Sequence, residues 1–515
     1  MSHTSEVRQT EASPSAAYLA NESKQIAKGG AIVIVGTLAA QALGMVTTLW
    51  IARMLGPEQF GLLSLATSVL FPLAALANLG LGGALVRFLP VHIGQKDHAK
   101  VAGAIGSTFI MVGIASLVVM LATMALAAPI ANIVFSEPQL ASVLRTLAFS
   151  IPLIVLTGIA LASTRGTKLM HYDAIEQVAG PVFLLISWGI GLLLFTNLLA
   201  IAIYATLIRW FISAILSLGF VYVVYKKYFG SGIDWAFKSL LIYSGPLIIS
   251  SLMYTLAPRM DRIVLGVVDD SYAVGVYSLA ASVVVLLKLV HASIVKTFMP
   301  VVADAHNRVS TERAQMLYVA VTRWDSRLTF IGVAFAILLA QELLGILGER
   351  YSEALLPFVI LAVSVFIGTL PGPTGAYLQM TNRQRVEAIN ATVFFILAPA
   401  VQIALALWLG WIGVAIGVLV MAVVINLVQI AEIYHLYGFH PFQRDHLLFT
   451  GLAIGIVAIC GVVGVNLALV QRLLVLTAVF AGFLIFVYLF RTSSDEFLLN
   501  TVLRSTPFSR ISKKS

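Results

Sequence analysis

Long apolar blocks separated by short polar connections run along almost the whole chain. Most blocks hold about 20 residues with few charges, which is enough for a helix to cross a hydrocarbon core of about 30 Å. The pattern predicts an all-α integral membrane protein of about fourteen transmembrane helices. The predicted spans are 30–52, 61–85, 101–127, 144–164, 176–195, 199–224, 240–262, 274–297, 327–347, 355–379, 388–409, 412–436, 447–469 and 471–490. Pro371, Gly372 and Pro373 should break the tenth span.

The composition agrees with a membrane protein. Of the 515 residues, 60% are hydrophobic and only 11% are charged, whereas soluble chains average about 45–50% and about 25%. The net charge is +9, and the basic residues lie between the apolar blocks. Their role in orienting the chain in the membrane explains this charge better than a nucleic-acid partner does. The single cysteine, Cys460, cannot form an intramolecular disulfide.

The basic residues test the number and direction of the helices. Of the 32 Lys and Arg residues, 24 fall on the two tails and on every second connection. The opposite connections hold only Arg53, Arg350 and Arg472. Because basic residues concentrate on the cytoplasmic side, we predict a multi-pass protein of the cytoplasmic membrane with both termini in the cytoplasm.

One segment is repeated about 210 residues later in the chain. The residues of 61–70 match those of 275–284 at 6 of 10 positions. Six helices separate the copies, so they should be parallel repeats related by an axis along the membrane normal. Chance similarity between apolar helices rich in small residues is the alternative. The repeat predicts two six-helix lobes around a central cavity, over 24–230 and 231–440. The rest of the chain is predicted to form a disordered cytoplasmic tail over 1–23, two additional transmembrane helices over 441–491, and a cytoplasmic tail over 492–515.

Charges inside the predicted helices are mostly basic. Five lie there, at Arg145, Arg209, Arg259, Arg262 and Lys288, whereas Asp261 and Glu342 are the only acids of these helices that lie away from the cytoplasmic ends. Those at the centre of a span are costly unless they face a cavity or a partner. Arg209 and Lys288 are central and should face the cavity, with His291 one turn from Lys288. Arg145 and Glu342 lie near the outer surface, where they can reach water.

The group Arg259, Asp261 and Arg262 has two interpretations, a local ion pair or a contact with substrate. A cavity with several cations attracts an anion, and arginine binds phosphate through two parallel hydrogen bonds. We therefore take Arg209, Lys288, His291, Arg259 and Arg262 as candidate substrate-binding residues.

Several motifs resemble those of a transporter family. These are Ile51-Ala-Arg-Met-Leu-Gly-Pro-Glu-Gln-Phe-Gly61, the run from Asn78-Leu-Gly-Leu-Gly to Arg87, and the segment from Gly245-Pro246 through Arg259-Met-Asp-Arg262 to Ala280. Together they resemble the lipid-linked oligosaccharide flippases of the Wzx type, in the multidrug/oligosaccharidyl-lipid/polysaccharide exporter superfamily. Asn78 stands where that family usually has an acid.

The resemblance implies outward movement of a polyprenyl-pyrophosphate-linked oligosaccharide by alternating access, for polysaccharide synthesis. It also implies that glycosyltransferases and a polymerase act in the same pathway. Some members are thought to use an ion gradient, and Asp261 is the best-placed carboxylate for that role.

Two alternatives remain open. A cation-coupled multidrug exporter of the same superfamily would need intramembrane acids, which are nearly absent. A membrane enzyme that polymerises lipid-linked sugars would need a sizeable outer loop, and the outer connections are short. No P-loop, HExxH or CxxC pattern occurs, so we expect a transporter without a cofactor or metal.

Overall fold

A computed structural model describes residues 16–490, except 168, 229, 231, 309 and 464–466. Within these residues the chain forms seventeen α-helices and no strand. The helices are α1 (Ala16–Ala77), α2 (Leu81–Gly94), α3 (His98–Pro129), α4 (Gln139–Leu147), α5 (Ser150–Gly166), α6 (His171–Leu194), α7 (Leu198–Tyr225), α8 (Phe237–Leu256), α9 (Met260–Val268), α10 (Ser271–Arg308), α11 (Thr311–Leu338), α12 (Ala340–Gly345), α13 (Leu355–Thr369), α14 (Thr374–Met380), α15 (Gln384–Tyr437), α16 (Arg444–Val463) and α17 (Leu469–Leu489).

The helices are long and apolar enough to span a membrane many times. In the described part, ten meet this criterion, and the pair α4 and α5, bent by 41°, makes up to eleven. Large apolar side chains are exposed, as at Leu193 (86%) and Trp408 (88%), which suits contact with lipid. The predicted all-α, multi-pass class is confirmed, whereas the count of fourteen stays a prediction.

Two of the longest helices are broken by a glycine. Gly56 in α1 has φ 76° and Gly410 in α15 has φ 54°, both left-handed values that favour glycine. The arms of α15 run antiparallel, because Gly417 faces Gln402 and Asn390 Nδ2 donates to Glu432 at 2.7 Å. The 54 residues of α15 therefore form a hairpin, in agreement with the predicted spans 388–409 and 412–436.

The break predicted near residue 371 is present. α13 ends at Thr369, and α14 begins at Thr374. The connection is held from the side by Tyr318, whose hydroxyl donates to the carbonyl oxygen of Pro371 at 2.6 Å. A buried phenol thus satisfies a carbonyl that the proline pair removes from regular helix.

Two predicted boundaries were wrong. α1 begins at Ala16, so residues 16–23 are helical rather than disordered; residues 1–15 and the predicted tail 492–515 lie outside the described residues. α11 begins at Thr311 instead of 327. Charged residues had indicated a connection there, but Arg323 and Arg327 are buried inside α11 because Asp445 of α16 lies 3.0 and 3.5 Å from them.

The last two helices pack on α11 and α12. Phe449 of α16 makes an edge contact with Phe330 of α11, with ring centroids 5.5 Å apart. Arg472 of α17 donates to both carboxylate oxygens of Glu342, at 3.0 and 2.9 Å, and also to Gln341. Arg472 therefore lies in the first turn of α17, within the predicted span 471–490 and at its boundary with the preceding connection.

Candidate functional site

A cavity lies where the two copies of the repeat meet. "Outer" and "inner" below follow the predicted orientation. The outer chamber has a volume of about 350 Å³ and is lined by both arms of α1 and by parts of α5, α6 and α7. The other half of the chain contributes Arg262, Ser278 and Ser282 to its wall. Residues on both sides of the predicted lobe boundary thus face one space.

The wall of the outer chamber carries positive charge. Among the described residues that line it, Arg209 and Arg262 are charged and none is acidic. Hydroxyl groups make up most of the remaining polar surface, at Thr47, Thr48, Ser64, Thr67, Ser150, Thr206, Ser278 and Ser282. Two buried atoms of this wall, Arg262 Nε and Ser278 Oγ, have no hydrogen-bond partner among the described residues. Such a wall can bind an anion through the guanidinium groups and other polar groups through the hydroxyls.

Arg209 is held by its neighbours on α6 and α7. Its guanidinium lies 3.7 Å from the ring centre of Trp210, and Gly180 of α6 leaves the space that the guanidinium occupies. Glu176 Oε1 lies 3.9 Å away, too far for a hydrogen bond. The acid and the indole therefore anchor the cation while its donors remain available to a ligand.

The three charges of the seventh predicted helix have different surroundings. A short 3-10 turn, Ala257–Arg259, separates α8 from α9. Arg259 donates back to the Thr255 carbonyl at 2.7 Å and covers Phe71 at 4.5 Å. Asp261 accepts from the Tyr277 hydroxyl at 3.0 Å. Arg262 lines the chamber. Arg259 is not among the described lining residues, but it contacts one of them, Phe71. Asp261 pairs with α10.

Lys288 and His291 lie apart from this cavity. Neither is among the described residues that line it, and Lys288 is exposed. His291 Nδ1 lies 2.6 Å from Asp325 Oδ2, a fully buried carboxylate of α11. Asp325 was not predicted as a functional residue, because the charges around it indicated a connection. Its signal was the spacing Arg323-Trp-Asp-Ser-Arg327, which places the arginines on one face of a helix and the acid on the other.

An inner chamber of about 690 Å³ continues from the outer one. The two share Phe71 and Ile154. Its wall combines the glycine-rich run after Asn78, the end of α5 with Arg165, and polar groups of α8 at Ser250, Ser251, Tyr254 and Thr255. Arg165 Nε lies 3.8 Å from Asp173. The two chambers therefore lie next to each other between the halves of the chain, with Arg209 and Arg262 in one wall and Arg165 in the other.

Beyond the outer chamber, the two halves touch through two contacts that the repeat relates to each other. A methyl group on Gly61 would overlap the carbonyl oxygen of Ser271, and one on Gly275 would overlap that of Pro57. Gly61 and Gly275 are the first residues of the two matched segments. Ser271 lies four residues before Gly275, and Pro57 lies four residues before Gly61. The pair of contacts, called here the outer contact, maps onto itself when the repeats are exchanged, as a two-fold axis requires. Beside it, the buried hydroxyl of Tyr351 donates to the Ala52 carbonyl at 2.8 Å.

Known proteins resemble this chain in sequence and in fold. The "Capsular polysaccharide biosynthesis protein CapF" of Staphylococcus aureus is 28% identical over 200 residues, which cover 36% of this chain and 47% of that relative, or about half its length. "Lipid II flippase MurJ, inward closed conformation" has a TM-score of 0.68 at 14% identity, over 89% of this chain and 98% of that one. An inward-facing multidrug resistance MATE family transporter of the MOP superfamily has a TM-score of 0.63 at 17% identity, over 78% and 97%.

The structural neighbours show that the chain has the fold of these transporters. The family assignment rests on sequence, because the profile of one family matches residues 26–306, more than half of the chain. The match confirms the resemblance drawn from the motifs, and the chain belongs to the family described as "Polysaccharide biosynthesis protein".

Proposed function

We propose that the protein is a transporter that moves a lipid-linked oligosaccharide across the cytoplasmic membrane, from the cytoplasmic to the outer side, for the synthesis of a polysaccharide. The observation that carries the proposal is the outer chamber, whose described lining residues include Arg209 and Arg262 and no acid; Glu176, beside Arg209, lies outside this lining. The family match and the capsular relative support a role in polysaccharide synthesis. The fold shared with a lipid flippase supports transport rather than an enzymatic reaction.

The geometry suggests how the headgroup moves. A sugar phosphate enters the inner chamber past Arg165, while its polyprenyl chain stays in the bilayer. It then reaches Arg209 and Arg262, which bind the phosphate oxygens bidentately, and the hydroxyl-rich wall binds the sugars. Separation of the outer contact, with closure of the inner side, would release the headgroup outward by alternating access. Both termini are then cytoplasmic, near the glycosyltransferases that make the substrate, and a polymerase acts on the product outside.

A multidrug exporter is the second candidate, because a MATE transporter shares the fold. A cavity for cationic drugs would need acidic groups to neutralise the ligand. The arginine-containing wall of the outer chamber favours an anion instead.

Deletion of the gene tests the proposal. We expect loss of surface polysaccharide, with the lipid-linked intermediate accumulating on the inner leaflet. Complementation with R209A or R262A should fail, whereas R145A should succeed, because Arg145 is exposed and lies outside the described lining of the cavity. Membrane levels of each variant are measured in parallel. Normal polymer in both cavity variants would overturn the site assignment, and normal polymer in the deletion strain without a second flippase would overturn the function.

A further inference from the structure

Two acids of α6 lie behind arginines of the two chambers. Asp173 Oδ1 is 3.8 Å from Arg165 Nε, and Glu176 Oε1 is 3.9 Å from Arg209 Nη2. Arg165 lines the inner chamber and Arg209 lines the outer one, whereas neither acid is among the described lining residues of either chamber. Each of these arginines therefore has a carboxylate on one side and a chamber on the other.

The two acids lie on one face of α6. They are three residues apart, so their side chains are neighbours on the helix surface. Both are largely buried, with 15% of the Asp173 side chain and 9% of the Glu176 side chain exposed. Arg165 belongs to α5 and Arg209 to α7. One helix thus supplies the counter-charges for arginines on two other helices.

Neither ion pair is closed. Both are longer than the distance of about 2.7–2.9 Å at which a guanidinium donates to a carboxylate. Asp173 Oδ2 and Glu176 Oε1 are buried and have no hydrogen-bond partner among the described residues. An ion pair that only joined two helices would gain from satisfying these oxygens. The acids therefore offset the charge of the arginines without occupying their donors.

The surroundings of Arg209 allow its guanidinium two partners. The cation lies over the ring of Trp210, 3.7 Å from its centre, and passes Gly180, where a methyl group would lie 2.6 Å from Nη2. Gly180 follows Glu176 by one turn on α6. A movement of about 1 Å would bring Nη2 within hydrogen-bond distance of Glu176 Oε1. Arg209 can therefore donate to this acid or to a ligand in the outer chamber.

A transporter must release what it binds. A site on a transport path has to bind its ligand well enough to admit it and weakly enough to let it leave. Charges attract each other more strongly at a site shielded from water than in bulk water, so guanidinium groups without counter-charges would hold a phosphate tightly. A carboxylate behind the guanidinium offsets part of that attraction.

We propose that Glu176 and Asp173 are positioning residues that limit the affinity of the cavity for the phosphate of its cargo and accept the guanidinium when the cargo leaves. Glu176 acts on Arg209 in the outer chamber, and Asp173 acts on Arg165 in the inner chamber. Loss of either carboxylate strengthens binding and slows release. The role in release rests on the proposed function, whereas the effect on anion affinity does not depend on the identity of the cargo.

Binding of a defined anionic lipid tests the effect on affinity. The full chain in detergent micelles is titrated with geranyl pyrophosphate, and with geraniol as the uncharged comparison, by isothermal titration calorimetry. E176Q should lower the dissociation constant for geranyl pyrophosphate about tenfold, because it removes a negative charge about 4 Å from a binding guanidinium. E176D keeps that charge and should stay close to the parent. R209A should bind geranyl pyrophosphate more weakly.

E342Q is the matched control. Glu342 also pairs with a nearly buried arginine, Arg472 at 2.9 Å, but neither residue is among the described lining of the chambers, so E342Q should bind the probe like the parent. D173N should also bind more tightly and serves if E176Q fails to fold. Unchanged or weaker binding in folded E176Q would overturn the role of Glu176. So would an E176D protein that behaves like E176Q, because the effect would then not follow the charge.

Polymer export tests the effect on release. In complemented cells, E176Q should lower surface polymer at a normal membrane level although it binds the probe more tightly, and a loss of packing alone would not move the two readouts in opposite directions. Tighter binding with parental polymer would overturn the role in release. Normal polymer in the deletion strain without a second flippase, together with tighter binding in E176Q, would count against the proposed function and leave the effect on affinity standing.

Discussion

Gly61 packs directly against the backbone carbonyl of Ser271, so that no side chain fits between the two halves of the protein at their outer end. The repeat-related Gly275 makes the same contact with the carbonyl of Pro57. Both partners are backbone atoms within helices, which cannot move aside as a flexible side chain could. The outer contact therefore depends on the lack of a side chain at Gly61 and Gly275, and its two sides can separate without breaking hydrogen bonds or ion pairs between these four residues.

Substitution of Gly61 by alanine should open the outer contact. The added methyl group has no space in the closed conformation, and overpacking of this kind costs about 1–3 kcal/mol. G61A and G275A should each shift the protein toward the conformation open on the outer side, measured as faster labelling of a cysteine placed at Ser278 by a membrane-impermeant thiol reagent. G219A on α7 is the control, because a methyl group there meets no atom of the described residues within 4 Å. Labelling of G61A at the parental rate would show that the outer contact does not control access from the outer side.

Substitution of Gly180 by alanine should impair transport without removing a charge. A methyl group at this position would lie 2.6 Å from Nη2 of Arg209 and would displace the guanidinium from its place between Trp210 and Glu176. Alanine normally favours a helix over glycine by about 1 kcal/mol, so loss of stability does not explain a defect. We expect reduced surface polymer at a normal membrane level.

Gly189 supplies the comparison for this prediction. It lies on the same helix, α6, and within the described part of the chain a methyl group there meets no atom within 4 Å. G189A should therefore support normal polymer synthesis. Equal polymer levels in G180A and G189A would argue against a role for the position of Arg209.

Loss of Arg472 should destabilise the packing of the last helix. The guanidinium is nearly buried and binds both oxygens of Glu342, which is itself 32% exposed. Removal of one partner of such a pair costs about 1–3 kcal/mol, so R472A should lower the midpoint of thermal unfolding of the purified protein. K100A breaks the solvent-exposed pair with Asp97 and should change the midpoint little. A larger shift for K100A than for R472A would contradict this account.

The hairpin of α15 depends on Gly410. Its φ of 54° and ψ of −137° lie in a region open essentially to glycine alone. G410A should therefore lower the free energy of unfolding by about 1–3 kcal/mol, measured by chemical denaturation in detergent micelles. G455A, at a helical position of α16 where an added methyl group meets none of the residues that the structure describes within 4 Å, should leave stability unchanged or slightly raised. A fully stable G410A protein would mean that the turn tolerates a side chain.

Some properties of the protein follow from local sequence. The apolar blocks predicted membrane-spanning helices because every backbone polar group must be satisfied inside a lipid bilayer, and a helix does this within one segment. The match between 61–70 and 275–284 predicted two related halves. The break at Pro371 was also predictable, since proline removes a donor from the helix wherever it stands.

Other properties depend on how the helices are rotated and which partners they meet, and the tertiary structure alone decided these. Arg209 and Arg262 face one chamber, while Lys288, equally central in its predicted span, does not line it. Asp325 and its flanking arginines resembled a polar connection because hydropathy counts each charge by itself. In the fold, His291 and Asp445 lie opposite them on other helices and compensate those charges. The sequence by itself therefore determined the class of the protein, and the fold determined which charges act together.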